Sequence, residues 1–264
     1  MRYRNKKFVS RFSDAERADL LEKAQKCIWL QEGQPGLSYL MDRRCLSETV
    51  IRDFGLGYIP IDVRHQLAGR IIFPLFDPSG NLVTLMSRFI GEGDSFLPHY
   101  WHEHYEKSFH LYAIDKAKEA MRHWRFVVVV EGQIDALQFY NHSVNNVVAL
   151  CCTNMSAIQL SMIHRYCDEI ILVLDSDPNR AGQTGTEKIM KLTDFKGPVI
   201  PDAFGEMEMS GIGYKIAPVC LPNGTDPDDY IKKFGIDDIK KQIKQSLMNM
   251  RGRQCRLISV SVKR

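Results

Sequence analysis

The chain has 264 residues, of which 44% are hydrophobic and 25% charged, with a formal net charge of +3. This suits one large globular domain or two modest ones, and excludes a disordered chain or a wholesale polycation. No apolar run is long enough to span a bilayer, the basic start MRYRNKKFVSRF lacks a secretory apolar core, and the seven cysteines form no CxxC pair; no membrane partner, disulfide framework or zinc ribbon is expected, and a reducing, cytoplasmic setting is.

Ser13 and Glu16 have capping-box spacing. Leu20, Leu21, Ala24, Cys27 and Ile28 then recur at helical intervals, so the first element reads as a helix, broken at Gly33-Gln34-Pro35-Gly36. Two short helices are expected over 37–41 and 47–54. The β-rich runs 70–76 and 82–90 flank Asp77-Pro78-Ser79-Gly80-Asn81, which is turn chemistry between two strands and predicts a hairpin.

From Phe126 the pattern changes. The run 126–130 is almost wholly β-branched, the mark of a strand buried on both faces. A helix over 135–140, a strand over 146–150, a helix over 156–166, a strand over 169–174, a helix over 182–192 and a fourth strand over 213–221 follow. Alternating strands and helices imply right-handed crossovers and a mainly parallel α/β sheet. The expected organisation is an N-terminal α/β subdomain over 1–122, a parallel-sheet domain over 123–236 and a short basic helical C-terminus over 237–264. Basic runs at both ends of the chain read as phosphate-backbone contacts or as solvated faces.

The acidic residues are placed more tellingly. Glu131 directly follows the first parallel strand, and Asp175 and Asp177 follow the third. Ligand sites in open α/β sheets gather beyond the carboxyl ends of strands. Asp226 and Asp228 follow the fourth strand after a Pro222-Asn223-Gly224 turn and can join them. Clustered carboxylates repel, so they must take up protons, pair with cations or hold a metal. All-oxygen ligands without nearby His or Cys suit Mg²⁺ or Mn²⁺, and two such ions serve phosphoryl transfer. Gly132 lets the backbone approach a ligand closely. Asp135 reads either as a charge at a helix N-terminus or as a support for the catalytic acids.

At this point the residues resemble a known family. Val127-Val128-Val129-Val130-Glu131-Gly132-Gln133-Ile134-Asp135, then 146–150, then Leu174-Asp175-Ser176-Asp177 resemble the Toprim domain of bacterial-type primases, topoisomerases and some nucleases. Upstream, Tyr39-Leu40 through Ser47, Phe54-Gly55-Leu56-Gly57-Tyr58, Gly69-Arg70 through Gly80, Arg88, Lys107 and Leu111-Tyr112 resemble the primase core. So does Leu221 through Asp229 downstream. The resemblance covers roughly 36–235 and implies a Toprim-like, mainly parallel sheet preceded by a mixed α/β subdomain with a β-hairpin. It implies that Glu131, Asp175 and Asp177 are catalytic, and that these three with Asp226 and Asp228 hold Mg²⁺ or Mn²⁺. Arg70, Arg88 and Lys107 would contact template or nucleotide, with Asp135 in support.

The implied activity is template-directed synthesis of short RNA primers on single-stranded DNA from ribonucleotide triphosphates. Two readings stand beside it: a Toprim-type metal-dependent nuclease, and a degenerate primase-like module that binds single-stranded DNA. The residues contain neither the zinc-binding module nor the helicase-binding domain that flank this core in the family. No zinc is therefore expected in the chain, and a replicative helicase or a zinc module acting in trans is an expected partner. Two local departures stand out: Cys152 precedes Thr153 where Gly is usual, and Pro178-Asn179-Arg180 lengthens the segment after Asp177.

His99, His102 and His104 with Glu103 and Glu106 form a loose metal-like cluster without a Cys, and Tyr100 and Trp101 beside them could stack on unpaired bases. Gly55-Leu56-Gly57 lacks the third glycine and the βαβ context of a dinucleotide site, and no phosphate-loop Lys is present.

Overall fold

The computed structural model describes residues 12–63, 65–91, 98–103, 105–152, 154–176, 189, 200–202, 205–207 and 215–261. Asp177, His104, the N-terminal basic stretch 1–11 and all of the expected helix 182–192 except Ile189 lie outside the described residues. The chain forms two compact units, Met1–Glu106 and Lys107–Arg264.

The first unit opens on helix α1, Asp14–Cys27. The expected capping box is present: Glu16 N–H donates to Ser13 Oγ at 3.3 Å, and Ser13 N–H donates to Glu16 Oε2 at 2.8 Å. The Gly-Gln-Pro-Gly segment does not act as a break. α1 ends at Cys27, and helix α2, Gln34–Ser38, starts within that segment with Pro35 in its first turn, where its missing N–H costs nothing. A π-turn, Tyr39–Arg43, and helix α3, Glu48–Asp53, capped by Ser47, follow.

Strands β1 (Gly57–Ile59), β2 (Arg70–Phe76), β3 (Leu82–Phe89) and β4 (Tyr100–His102) form an antiparallel sheet in sequence order. The β2–β3 hairpin is the expected one. Asp77 Oδ1 accepts the N–H of Ser79 at 2.8 Å and of Asn81 at 2.9 Å, and Gly80 takes the left-handed conformation that the turn demands. Leu21 and Ala24 of α1 pack on Ile59, Leu67, Ile72 and Leu85.

The second unit holds a parallel sheet of β5 (Phe126–Val130), β6 (Val147–Ala149), β7 (Glu169–Leu172) and β10 (Lys215–Pro218), in the order β10-β7-β5-β6. A small hairpin, β8 (Ile200–Asp202) with β9 (Gly205–Met207), lies between β7 and β10 in the chain. Helices α4 (Ile114–Trp124), α5 (Gln133–Asn141) and α6 (Ala157–His164) accompany the first strands. The unit ends with α7 (Pro227–Phe234) and α8 (Ile236–Ser261).

Val127 and Val129 pack with Ile114, Ala117 and Met121 of α4 and Leu160 and Ile163 of α6. Val128 and Val130 are equally buried and point to the opposite face by strand alternation. That is why the run carries no polar residue. α4 falls within the span assigned from sequence to the first subdomain, but it packs on this sheet. In the C-terminal basic run, Arg251 Nη2 meets Glu169 Oε2 at 2.6 Å and fastens α8 to the start of β7. Among the described residues no helix is long and apolar enough to cross a membrane.

Candidate active site

The sheet aligns its carboxyl ends. Leu150 N–H donates to the Val130 carbonyl at 3.0 Å, Cys151 N–H to the Glu131 carbonyl at 2.9 Å, and Val173 N–H to the Val129 carbonyl at 2.9 Å. Glu131 and Asp175 therefore leave neighbouring central strands on the same edge. A short bridge brings in the next acids: Ser176 N–H donates to the Thr225 carbonyl at 3.1 Å, and Gly224 N–H donates to the Ser176 carbonyl. This ties the chain after Asp175 to the chain before Asp226.

Asp226 caps α7. Its Oδ1 accepts the Asp229 N–H at 2.7 Å, and Pro227 fills the first helical position. The helix start places carboxylate oxygens of Asp226, Asp228 and Asp229 within 4.8 Å of one another. Asp228 is 1% exposed and takes Lys232 Nζ on Oδ2 at 2.8 Å, one turn along the helix. Asp229 was not singled out from the sequence. Helix periodicity after a capping Asp with Pro at the next position was the signal that could have found it.

Asp135 stands at the centre. Its Oδ2 accepts the Gly132 N–H at 3.1 Å, and its Oδ1 accepts the Asp228 N–H at 3.2 Å, joining α5 to α7. Burial first, and then the charges of Asp175 and Asp226, push its carboxyl well above the usual carboxylate range; the Asp228 N–H opposes this. Asp175, Asp226 and Asp228 thus lie close enough to Asp135 for their charges to act on it. Gly132 has a specific reason to be glycine: a Cβ there would lie 2.7 Å from Asp135 Oδ2. The close approach that it permits is by a side chain of the same site.

Glu131 and Lys107 both lie close enough to Cys152 for their charges to act on its thiol. Burial raises the Cys152 thiol, the Lys107 cation lowers it and the Glu131 carboxylate raises it further. Cys151, just beyond β6 with φ of 56°, is half-buried, and desolvation pushes its thiol up to about 12, so it is a poor nucleophile at neutral pH. Lys107 is anchored through its backbone, its carbonyl accepting Gln159 Nε2 at 3.1 Å.

In the first unit the basic residues divide. Arg70 is 3% exposed and donates to the Pro98 carbonyl at 2.9 Å and the His99 carbonyl at 3.3 Å, fastening the chain that leads into β4. Arg88 is half-buried. It lies 4.8 Å from the Tyr100 ring and 5.9 Å from the Tyr39 ring, and it donates to the Tyr100 hydroxyl. The Arg43 and Arg44 guanidinium groups lie over the same Tyr39 ring at 5.7 and 5.4 Å, so cations and aromatics share one surface. Glu103 of the metal-like cluster is committed elsewhere: it is buried and paired with Arg17 Nε at 2.8 Å, with Phe12 N–H donating to it at 3.0 Å.

Residues 128–231 match the Toprim-like family. The chain is 26% identical over 246 residues to a DNA primase of Borreliella burgdorferi, covering 81% of this chain and 44% of that protein. It superposes on a DnaG catalytic core with a TM-score of 0.72 at 20% identity, over 91% of this chain and 84% of that one. The fold is that of a bacterial primase catalytic core. A DnaG primase catalytic domain bound to single-stranded DNA superposes almost as well, with a TM-score of 0.69 at 20% identity over 87% and 79% of the two chains. The chain spans less than half the length of the curated primases that it matches.

Toprim and primase proteins use divalent metal ions, and the donors here fit one. They are carboxylate oxygens at the carboxyl edge of a parallel sheet, three of them from one helix turn. Among the described residues, no other group of His, Cys, Asp and Glu side chains converges as closely. Hard oxygen donors of this kind suit Mg²⁺ and Mn²⁺.

Proposed function

We propose that this chain is the nucleotidyl-transfer core of a primase. It would make short RNA primers on a single-stranded DNA template from ribonucleotide triphosphates, in the cytoplasm. The observation that carries the proposal is the bond from the Asp228 N–H to buried Asp135, which joins the carboxylate cluster of Asp226, Asp228 and Asp229 to the edge where parallel sheets bind ligands.

In this reading Glu131, Asp175, Asp226 and Asp228 hold divalent ions, with Asp177 as a further ligand by resemblance. Mg²⁺ or Mn²⁺ bound there supplies neutralisation of triphosphate charge and activation of the attacking 3′-hydroxyl. The protein's own share is positioning. Asp135 fixes the Gly132 and Asp228 main chain, and Lys232 fixes the Asp228 side chain. Lys107, whose charge like that of Glu131 reaches Cys152, would meet a nucleotide phosphate. Arg88 with Tyr100 and Tyr39 offers a cation between aromatic faces, a surface for phosphate and unpaired bases. Arg70 supports that surface through the Pro98 and His99 carbonyls. A zinc module or a replicative helicase would be supplied as partners, and no zinc is assigned to this chain.

Incubating the full chain with circular single-stranded DNA, labelled ribonucleotides and Mg²⁺ or Mn²⁺ tests the proposal. Short labelled RNA that disappears with chelator is the expected product. Metal-dependent template cleavage without RNA would make the chain a Toprim nuclease, and DNA binding with neither product would make it a binding module.

A further inference from the structure

We propose that Lys232 sets which divalent cation the acidic edge accepts, by occupying one of the two Asp228 carboxylate oxygens. The inference rests on the metal-binding reading above. Asp228 Oδ2 is held by Lys232 Nζ at 2.8 Å, and the Asp228 backbone N–H is held by Asp135 at 3.2 Å. The carboxylate is 1% exposed, so it cannot rotate outward without giving up the ion pair inside the protein. Asp226 is restrained in the same sense, because its Oδ1 caps α7 through the Asp229 N–H at 2.7 Å.

A cation that draws on both oxygens of either carboxylate must displace the Lys232 ammonium or uncap the helix. Divalent ions differ in that demand. Ca²⁺ gathers about six to eight oxygens at roughly 2.3–2.6 Å and readily takes carboxylates through both oxygens. Mg²⁺ takes an octahedral set at about 2.0–2.1 Å, uses one or two carboxylates and keeps several waters. The restraint on Asp228 Oδ2 and Asp226 Oδ1 therefore counts against Ca²⁺ more than against Mg²⁺. Lys232 acts through Asp228 and is a positioning residue. Its own positive charge opposes both divalent ions alike, so the ratio of their affinities separates ligand geometry from simple repulsion.

Calorimetric titration of the full chain with MgCl₂ and with CaCl₂, at one ionic strength, tests this. The unmodified chain should bind Mg²⁺ at least as tightly as Ca²⁺. Lys232→Met should raise the Ca²⁺-to-Mg²⁺ affinity ratio about tenfold, the fold-change that matches loss of one charge-assisted hydrogen bond. Lys232→Arg, which can still donate to Asp228, should keep the original ratio. An unmodified chain that prefers Ca²⁺ overturns the proposal without recourse to any variant. An unchanged ratio in Lys232→Met, with both ions bound, also overturns it and leaves the metal site standing. Failure of the unmodified chain to bind either ion removes the site and the proposal together.

Discussion

Asp135 accepts the backbone N–H of Asp228 at 3.2 Å across 93 residues of sequence. One buried carboxylate thereby positions the helix turn that presents Asp226, Asp228 and Asp229, while its other oxygen holds Gly132 beside Glu131. The acids of α7 and the acid after β5 share a support, and disturbing that support should move both.

Gly132→Ala tests the support from the backbone side. The added Cβ would meet Asp135 Oδ2 at 2.7 Å, and that carboxylate is already held at both oxygens. We expect a loss of about 1–3 kcal/mol in stability, typical of overpacking a buried contact, together with weaker Mn²⁺ binding. Denaturant melts and metal titration read the two effects. Unchanged values in both would show that Asp135 relaxes freely.

The electrostatics give a pH dependence. The ordinary Asp value is 3.8, and burial with neighbouring charge raises Asp135 well above it in the folded protein. The folded state thus favours the protonated carboxyl. Its stabilisation is complete below pH about 3.8 and is lost as pH rises through the raised folded value. Metal-free protein should therefore lose melting temperature as pH rises above about 3.8 more steeply than Asp135→Asn does, and added Mg²⁺ should recover part of the loss. Parallel pH profiles for the two proteins in chelator would contradict this.

How much of this was legible beforehand depended on the kind of signal. The run Phe126–Val130 and the turn Asp77 through Asn81 announce a buried strand and a hairpin, because local chemistry alone decides them. The edge position of Glu131 and Asp175 followed from strand order. Helix α4 has no sequence signature at its start, although Ile114, Ala117 and Met121 keep helical spacing, because Ala113 at its N-terminus offers no capping side chain. Asp226 is expected as a ligand after a Pro-Asn-Gly turn, and an Asp followed by Pro is also a helix start, which is the role the structure adds. The Asp135–Asp228 bond depends on long-range packing, which no spacing in the sequence encodes, whereas the Asp228–Lys232 pair keeps the i,i+4 spacing of a helix begun at Asp226-Pro227.

Asp175→Ala should leave the fold intact, since the side chain is half-buried at a strand end and outside the apolar core. Primer synthesis should fall by about 10²-fold or more, the scale of losing one electrostatic element of a phosphoryl-transfer site. Gel-resolved RNA products and a far-UV spectrum together check this, and a rate within twofold of the original would remove Asp175 from the site.

Arg88→Ala should weaken binding of single-stranded DNA and lower the slope of log affinity against log salt by about one phosphate contact, roughly 0.7. Its guanidinium sits between two tyrosine rings, where Ala leaves no cation. Fluorescence anisotropy at several salt concentrations measures both quantities, and an unaltered slope would give Arg88 a purely packing role.

In the first unit, the buried Arg17–Glu103 pair predicts a structural effect without a chemical one. Arg17 Nε and Nη2 reach the two Glu103 oxygens at 2.8 and 3.2 Å, and both side chains are nearly inaccessible. Glu103→Leu should cost up to about 3–5 kcal/mol by depriving the Arg17 charge of its buried partner while the exposed Asp14 pair at 2.7 Å remains, whereas Arg17→Met with Glu103→Leu should cost less. Divalent binding should not change in either. A double variant as unstable as the single one would argue against a stranded charge as the cause.

The central claim is that acids from separate stretches of chain share divalent ions at one sheet edge. Titrating the full chain with Mn²⁺ and following the free-ion paramagnetic resonance signal tests it most directly. Saturable binding that weakens in each of Glu131→Gln, Asp175→Asn and Asp228→Asn is the predicted result; no binding, or binding indifferent to all three substitutions, would contradict it.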